Sequence, residues 1–464
     1  MDRTRYMLII LIVSAGLLFI TFYPGAMSID SYEQLRQARS GQFGDWHPPF
    51  MAWVWRAFDA ILQGSILMLL AQLGLYLFSL WAIARVALPG PDSVRLGFVI
   101  ASLWLAPVSG IIGVVWKDIW TSCLLLLTGA CCLAITTATG RAWHLRCLGA
   151  AALAFTAALL FRPNAVFAGV PLLAYLLWMT RPAPRTVRWG VSVLFVGAAA
   201  SALLLLVSSG LNRVLTVHHQ HPLQSILIFD IAGVSTLSGR ADFLNDASES
   251  IPDVMRQQRS VELSALQAAY YPSTWTPLVF ETDSPLAITD SAIQVEHLAA
   301  IWSGAVTAEP SIYLEHRARV FREVIGATAA PLFAPVYFGI PRDSPDYQQV
   351  AQLFPTIELV ELSPVQALLR SAFEQSARSI FYRPYFWLLL NVALVITAII
   401  SGARSAGLVA IGSSGLMYEL ALFFLAPSAD YRYSHWLVLS TWVLAFGLGS
   451  QFLQKRNSPQ QASV

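Results

Sequence analysis

Four short stretches of this sequence gather residues able to do polar chemistry, and each lies at the edge of an apolar run. One is Asp30-Ser31-Tyr32-Glu33-Gln34, followed closely by Asp45-Trp46-His47-Pro48-Pro49. The others are Trp116-Lys117-Asp118, Arg162-Pro163-Asn164 and Asp430-Tyr431-Arg432-Tyr433-Ser434-His435. Charges at the ends of apolar spans are costly, and they mark a functional-site candidate by default. His47, Lys117, Arg162 and Arg432 suit an anionic group such as a phosphate, which arginine binds bidentately. Asp30 and Asp118 suit acid-base work. Tyr32, Trp46, Asn164, Asp430, Tyr431, Tyr433 and His435 are the candidate substrate contacts. Tryptophan and tyrosine there suit the face of a sugar ring, and equally the aromatic belt at a membrane surface.

The elements that must position these residues follow from composition. The 464 residues are 56% hydrophobic and 12% charged, against roughly 25% charged in soluble domains. That excludes a soluble enzyme and a disordered chain. A net charge of +2 leaves no basic field for a polyanion, which excludes nucleic acid as a partner. Apolar runs near the length of a bilayer span, roughly 20 residues, occur at 7–23, 65–87, 95–115, 119–138, 145–161, 165–180, 189–211, 384–401, 406–426 and 436–453. The expected fold is therefore an all-α polytopic membrane protein of about ten spans. The run at 7–23 is read as a retained span, because Pro24-Gly25 follows it instead of a small-residue cleavage site.

Lysine and arginine in the short loops set the orientation. With the N-terminus cytoplasmic, the inside segments hold Arg3, Arg5, Arg85, Arg95, Arg141, Arg146, Arg181, Arg185, Arg188, Arg404, Lys455 and Arg456, against Asp2 and Asp92. Both termini then lie in the cytoplasm, and all four polar stretches fall outside. The expected organisation is an N-terminal membrane module, 1–212, with a first outer loop at 24–64. A soluble outer domain follows at 213–383, and a C-terminal membrane module at 384–464. Segment 213–383 carries 18 of the 27 acidic residues. Within it, Asp253–Ala269 and Ser311–Ile325 read as helices by apolar spacing.

Each candidate has a competing structural role. Asp30 reads as a helix cap as well as a base, since Glu33 sits three residues on as in a capping box. His47 reads also as part of a turn forced by Pro48-Pro49. Lys117 and Asp118 read as partners of one another or of Arg162. The run His218-His219-Gln220-His221 is a weak metal motif, because adjacent ligands rarely reach one ion. Cys123, Cys131, Cys132 and Cys147 lie in or beside apolar runs and read as small buried hydrophobes.

Taken together, the polar stretches resemble the GT-C glycosyltransferases, a superfamily that includes protein O-mannosyltransferases and the aminoarabinose transferases of lipid A. The resemblance rests on Asp30-x-Tyr32 after the first span, then Ala38, Gly41 and His47-Pro48-Pro49, with Asp118 at the second acidic position. Asp430-Tyr431-Arg432-Tyr433 before the last span resembles an arginine-tyrosine motif of bacterial members. It covers the membrane part, roughly 1–212 and 384–453, and not 213–383. It implies a polyprenyl-phosphate-linked sugar as donor, and a lipid, glycan or protein acceptor outside the cytoplasm. It further implies one-step displacement with inversion, Asp30 as base, and cations on the leaving phosphate. The setting would be the bacterial inner membrane, with the site on the periplasmic face. His47 departs from relatives that carry lysine before the Pro-Pro pair. Some members use a divalent metal, and Asp30 with Asp118 leaves that open.

Two other classes fit many spans. An O-antigen polymerase or ligase type would depend on arginines and histidine of the large outer loop, and not on Asp30 or His47-Pro48-Pro49. A lipid or glycan transporter would place polar residues along a path at mid-membrane, where the spans here are nearly free of charge, Glu419 being the main exception.

Overall fold

The computed structural model describes residues 3–88, 91–137, 140–180, 187–328, 333–340, 345–353, 362–402 and 405–457. The chain is all-helical in these regions. In order the helices are α1 (Arg3–Phe22), α2 (Ile29–Ser40), α3 (Phe50–Ile61), α4 (Ile66–Ala87), α5 (Asp92–Leu103), α6 (Ala106–Ser109), α7 (Lys117–Ala134), α8 (Arg141–Phe161), α9 (Val166–Met179) and α10 (Val187–Leu215). Then come α11 (Gln224–Ser238), α12 (Asp242–Asn245), α13 (Leu263–Ala269), α14 (Ala292–Ala308), α15 (Pro310–Val324), α16 (Pro345–Leu353) and α17 (Pro364–Ser376). The chain closes with α18 (Pro384–Ser401), α19 (Ala406–Leu425) and α20 (His435–Asn457).

Among the described residues eight helices are long and apolar enough to cross a membrane: α1, α4, α7, α8, α10, α18, α19 and α20. The protein is a multi-pass membrane protein. The expected span at 165–180 is the shorter helix Pro163–Met179, and 145–161 is a full helix of 21 residues.

The expected span at 95–115 is broken. Helix α5 stops at Leu103, one turn of helix surrounds Pro107, and the chain returns without helix to Lys117. Proline lacks the N–H and clashes with the turn before it, so α5 ends ahead of Pro107. Irregular backbone at membrane depth survives only where protein satisfies it. Here Val115 N–H donates to Ala26 O at 2.9 Å, Ala26 N–H to Gly113 O at 3.2 Å, and Gln72 Nε2 to Val114 O at 3.0 Å. The close approach needs glycine at 113, because a Cβ there would collide with the Phe22 ring. The loop that carries Trp116 is therefore longer than the stretch Trp116-Lys117-Asp118 alone, and Lys117 and Asp118 open α7.

The expected helix over Asp253–Ala269 forms only at its end, as α13; turns occupy its start, 253–257. Ser311–Ile325 appears almost unchanged as α15. Two large cores form. One runs through the membrane helices and takes in Phe333 and Phe373, with Tyr337 and Phe338 packed against it. The other joins α11, α13, α14 and α15 to Leu422, Ala426 and Ala429 at the end of α19. Segment 213–383 thus contributes to both. Because the helices alternate in direction, the loops after α1, α5, α8, α10 and α19 gather at one end of the bundle.

Candidate active site

At that end a cavity of about 1660 Å³ opens between the bundle and α11–α15. Asp30, Trp46, His47, Lys117, Arg162, Asn164, Asp430, Arg432 and Tyr433 line it. The four polar stretches, far apart in sequence, share one space.

Local structure sets each side chain. Ser28, not Asp30, caps α2: its N–H donates to Ser31 Oγ at 3.2 Å, and Ser31 Oγ donates to Val115 O at 2.9 Å. That leaves the Asp30 carboxylate free of capping in the first turn, where the helix dipole favours a negative charge. Glu33, the expected capping partner, instead accepts from Arg36 and Gln37. Pro49 is the N-cap of α3 and so sets His47 at the end of the loop. Arg162 follows the last turn of α8 in extended conformation, and Pro163 starts the next turn. Asp430 accepts the Arg432 N–H at 3.1 Å, which closes the turn before α20.

The charges interlock. Arg432 Nη1 lies 2.9 Å from Asp30 Oδ2, and its Nε lies 2.8 Å from Asp430 Oδ2 and 3.7 Å from Asp118 Oδ2. Arg162 pairs with Asp118 and donates from Nε to Asn164 Oδ1 at 2.8 Å. His47 Nε2 lies 3.5 Å from Asp30 Oδ1, and its Nδ1 meets Lys117 Nζ. The guanidinium of Arg162 sits 4.4 Å from the Tyr433 ring centre, and that of Arg432 sits 4.7 Å from Trp116. Both distances suit cation-π attraction.

Burial alone would push the Asp30 carboxyl up. Arg432, then His47 and Lys117, outweigh it and hold it well below the usual carboxylate range. Burial, then Lys117, pushes His47 below the ordinary histidine value, with Asp30 opposing. Burial raises the Asp430 carboxyl against the pull of Arg432. The site therefore holds an ionised Asp30 beside a neutral His47 at pH 7.

Other sequence candidates stand elsewhere. Asp118 is 2% exposed and lies behind the cavity wall, where it pairs with Arg162. Tyr32 is buried in the membrane core and does not line the cavity. Tyr431 is buried and donates to Pro107 O at 2.9 Å. His435 is fully buried in α20. Their aromatic and polar types suit a site, but the helical turn directs them into the core.

The histidine run has a structural place. Asp45 Oδ2 meets His219 Nδ1 at 3.0 Å, Asp45 Oδ1 accepts the Gln220 N–H at 2.5 Å, and Asp45 N–H donates to His218 O at 3.2 Å. This pins the first loop to the segment after α10. Among the described residues no three His, Cys, Asp or Glu side chains group to hold a metal ion. Arg432 stands between Asp30 and Asp118, so those two do not fit a shared divalent ion.

The cavity also has walls beyond the four polar stretches. Leu205, Ser209, Asn212 and Thr216 of α10 and the residue after it face it. Their spacing of three to four residues, with polar groups near the end of an apolar run, is a stripe readable in the sequence. Trp275, Thr276, Phe280 and Asp290 also line it. They lie outside α-helices, where no periodicity signals a face.

No family model matches the chain, and no curated protein does. Among solved structures, the crystal structure of ArnT from Cupriavidus metallidurans in the apo state is similar at 14% identity, with a TM-score of 0.32, over 96% of this chain and 77% of that one.

Proposed function

We propose that this protein is an inverting glycosyltransferase of the GT-C type, moving a sugar from a polyprenyl phosphate to an acceptor in the cell envelope. The observation that carries the proposal is an ionised Asp30 set among Lys117, Arg162 and Arg432 in one cavity. That cavity continues along apolar side chains, including Val166, Phe167, Leu205 and Ile226. A charged centre beside an apolar groove suits a ligand with a phosphate head and a hydrocarbon tail. The motif resemblance points the same way.

In this mechanism Asp30 accepts the proton of the acceptor hydroxyl. That oxygen bonds to the anomeric carbon as the bond to the phosphate oxygen on the opposite face breaks. The polyprenyl phosphate leaves with the bonding electrons. Lys117, Arg162 and Arg432 stabilise its growing charge. Lys117 meets His47 and, among the described residues, forms no ion pair with a carboxylate, which leaves it open to the phosphate. Asp118 positions Arg162 from behind.

The reading places the chain in a bacterial inner membrane with both termini cytoplasmic and the site on the periplasmic face. It keeps the organisation of membrane modules 1–212 and 384–464 around an outer segment, 213–383, that helps to choose the acceptor. Native mass spectrometry with added polyprenyl phosphate tests it. The wild type should bind above bulk phospholipid, and Lys117→Gln and Arg432→Ala should lose that preference. Binding indifferent to both substitutions would overturn the phosphate site.

A further inference from the structure

One wall of the cavity is aromatic and is used by nothing in the mechanism above. Trp46 and Trp275 stack with ring centres 5.9 Å apart, and Phe280 meets Trp275 edge-on at 5.2 Å and Trp46 at 6.3 Å. All three line the cavity. Trp275 is buried, yet Phe280 is 53% exposed. A large aromatic held in place and left open inside a cavity is a surface for a ligand, not core packing.

The wall is tied to the reacting centre on both sides. Trp46 precedes His47, which touches Asp30. Trp275 N–H donates to Pro427 O at 3.2 Å, and Ala429 N–H donates to Ser273 O at 2.7 Å. Thr274 Oγ1 lies 3.2 Å from Ser428 Oγ. The wall is thus fastened along the loop that ends in Asp430 and Arg432. A ligand lying on it shares the cavity with Asp30.

The cavity that this wall borders also carries the Asp290 carboxylate and the hydroxyls of Thr276 and Ser428. Groups of this kind suit a ligand with many hydroxyls, each able to donate and to accept. Apolar ring faces in the same cavity as such groups match a sugar, which has C–H faces and a perimeter of hydroxyls. A peptide backbone has no C–H ring face to lay on the aromatic wall and matches less well.

We infer that Trp46, Trp275 and Phe280 form the acceptor subsite, and that the acceptor presents a saccharide. The inference rests on the transferase reading and adds the chemical class of its acceptor.

The test uses the full-length protein in lipid nanodiscs and native mass spectrometry. The probes are maltose, cellobiose and chitobiose, with a serine-containing tripeptide as control and polyprenyl phosphate as a separate arm. At least one disaccharide should bind, and Phe280→Ala should weaken it about fivefold to tenfold, the scale of one aromatic contact. Trp275→Leu should weaken it further. Thermal unfolding of Phe280→Ala should match the wild type, because the ring is half exposed. Polyprenyl phosphate binding should be unchanged in Phe280→Ala. Failure of every disaccharide to bind, or binding indifferent to both substitutions, would overturn the subsite. Tripeptide binding lost in Phe280→Ala would overturn the saccharide assignment. Loss of the polyprenyl phosphate arm in the wild type would instead sink the transferase reading itself.

Discussion

Arg432 stands between Asp30 and Asp118, with Nη1 2.9 Å from the first carboxylate and Nε 3.7 Å from the second. One guanidinium thus faces two carboxylates without bringing them together. The same group sits over the Trp116 ring, so its position is held from a third direction. In the proposed reaction a phosphate that draws on Arg432 loosens its hold on Asp30 and makes that carboxylate a better base.

Asp30 is about a third exposed and does not cap its helix, so it can be changed without loss of structure. Asp30→Asn should fold normally and lose turnover by about 100- to 10,000-fold, the usual share of a general base. Transfer at the wild-type rate by this variant would remove Asp30 from the chemistry.

The pair of Arg162 with Asp118 makes a different demand. Removing one partner of a buried pair strands the other charge, at a cost of about 3 kcal/mol or more. Arg162→Ala should therefore lower the unfolding temperature in detergent, and adding Asp118→Asn should recover most of the loss. No recovery in the double variant would show that Asp118 does not depend on Arg162.

The sign of the pH dependence follows from His47. Its folded value is depressed by burial and by Lys117, so the unfolded chain takes up its proton first as pH falls. The neutral ring contributes stability that is fully present above the unfolded value of about 6.5 and is lost as pH falls below it toward the folded value. The stability difference between wild type and His47→Gln should shrink on acidification from about pH 7.5 to 5, across that unfolded value. A difference that grows would reverse the assignment of His47 as neutral.

Asp230, His316 and Arg317 form a fully buried cluster in the second core. Arg317 Nη2 lies 2.6 Å from Asp230 Oδ1, His316 Nε2 lies 3.1 Å from the same oxygen, and Trp302 Nε1 donates to Oδ2 at 2.8 Å. Arg317 Nη1 donates to Ala426 O at 3.0 Å, just before the loop that carries Arg432. Gly233 makes room, since a Cβ there would collide with the His316 ring. Gly233→Ala should destabilise α11–α15 by about 1–3 kcal/mol, as overpacking does, and a protease should cut that segment first. Wild-type resistance to proteolysis would show that the ring can shift aside.

Orientation is open to a labelling test. Asp290 is exposed at the cavity rim. In a chain whose native cysteines are replaced, Asp290→Cys should react with a membrane-impermeant maleimide added outside intact cells. Reaction only after the cytoplasmic side is opened would invert the proposed topology.

Composition and periodicity alone determined that this chain is an all-α membrane protein, and placed most of its spans within a few residues. Burying apolar helices is forced by residue type, and charges at span edges stand out because they are costly there. That cost singles out Asp30, His47, Lys117, Arg162 and Arg432 in the linear chain. The tertiary structure decided the rest. Pro107 and the contact of Gly113 with Phe22 break a run that reads as one span, because the group that satisfies the broken backbone, Ala26, comes from a distant loop. Ser28 takes the cap that Asp30 and Glu33 together suggest, which leaves Asp30 to Arg432. Tyr32, Tyr431 and His435 turn into the core, since a helix offers only one face to the cavity. Trp275 and Phe280 reach the cavity from an irregular loop, where no periodic pattern records which way a side chain points.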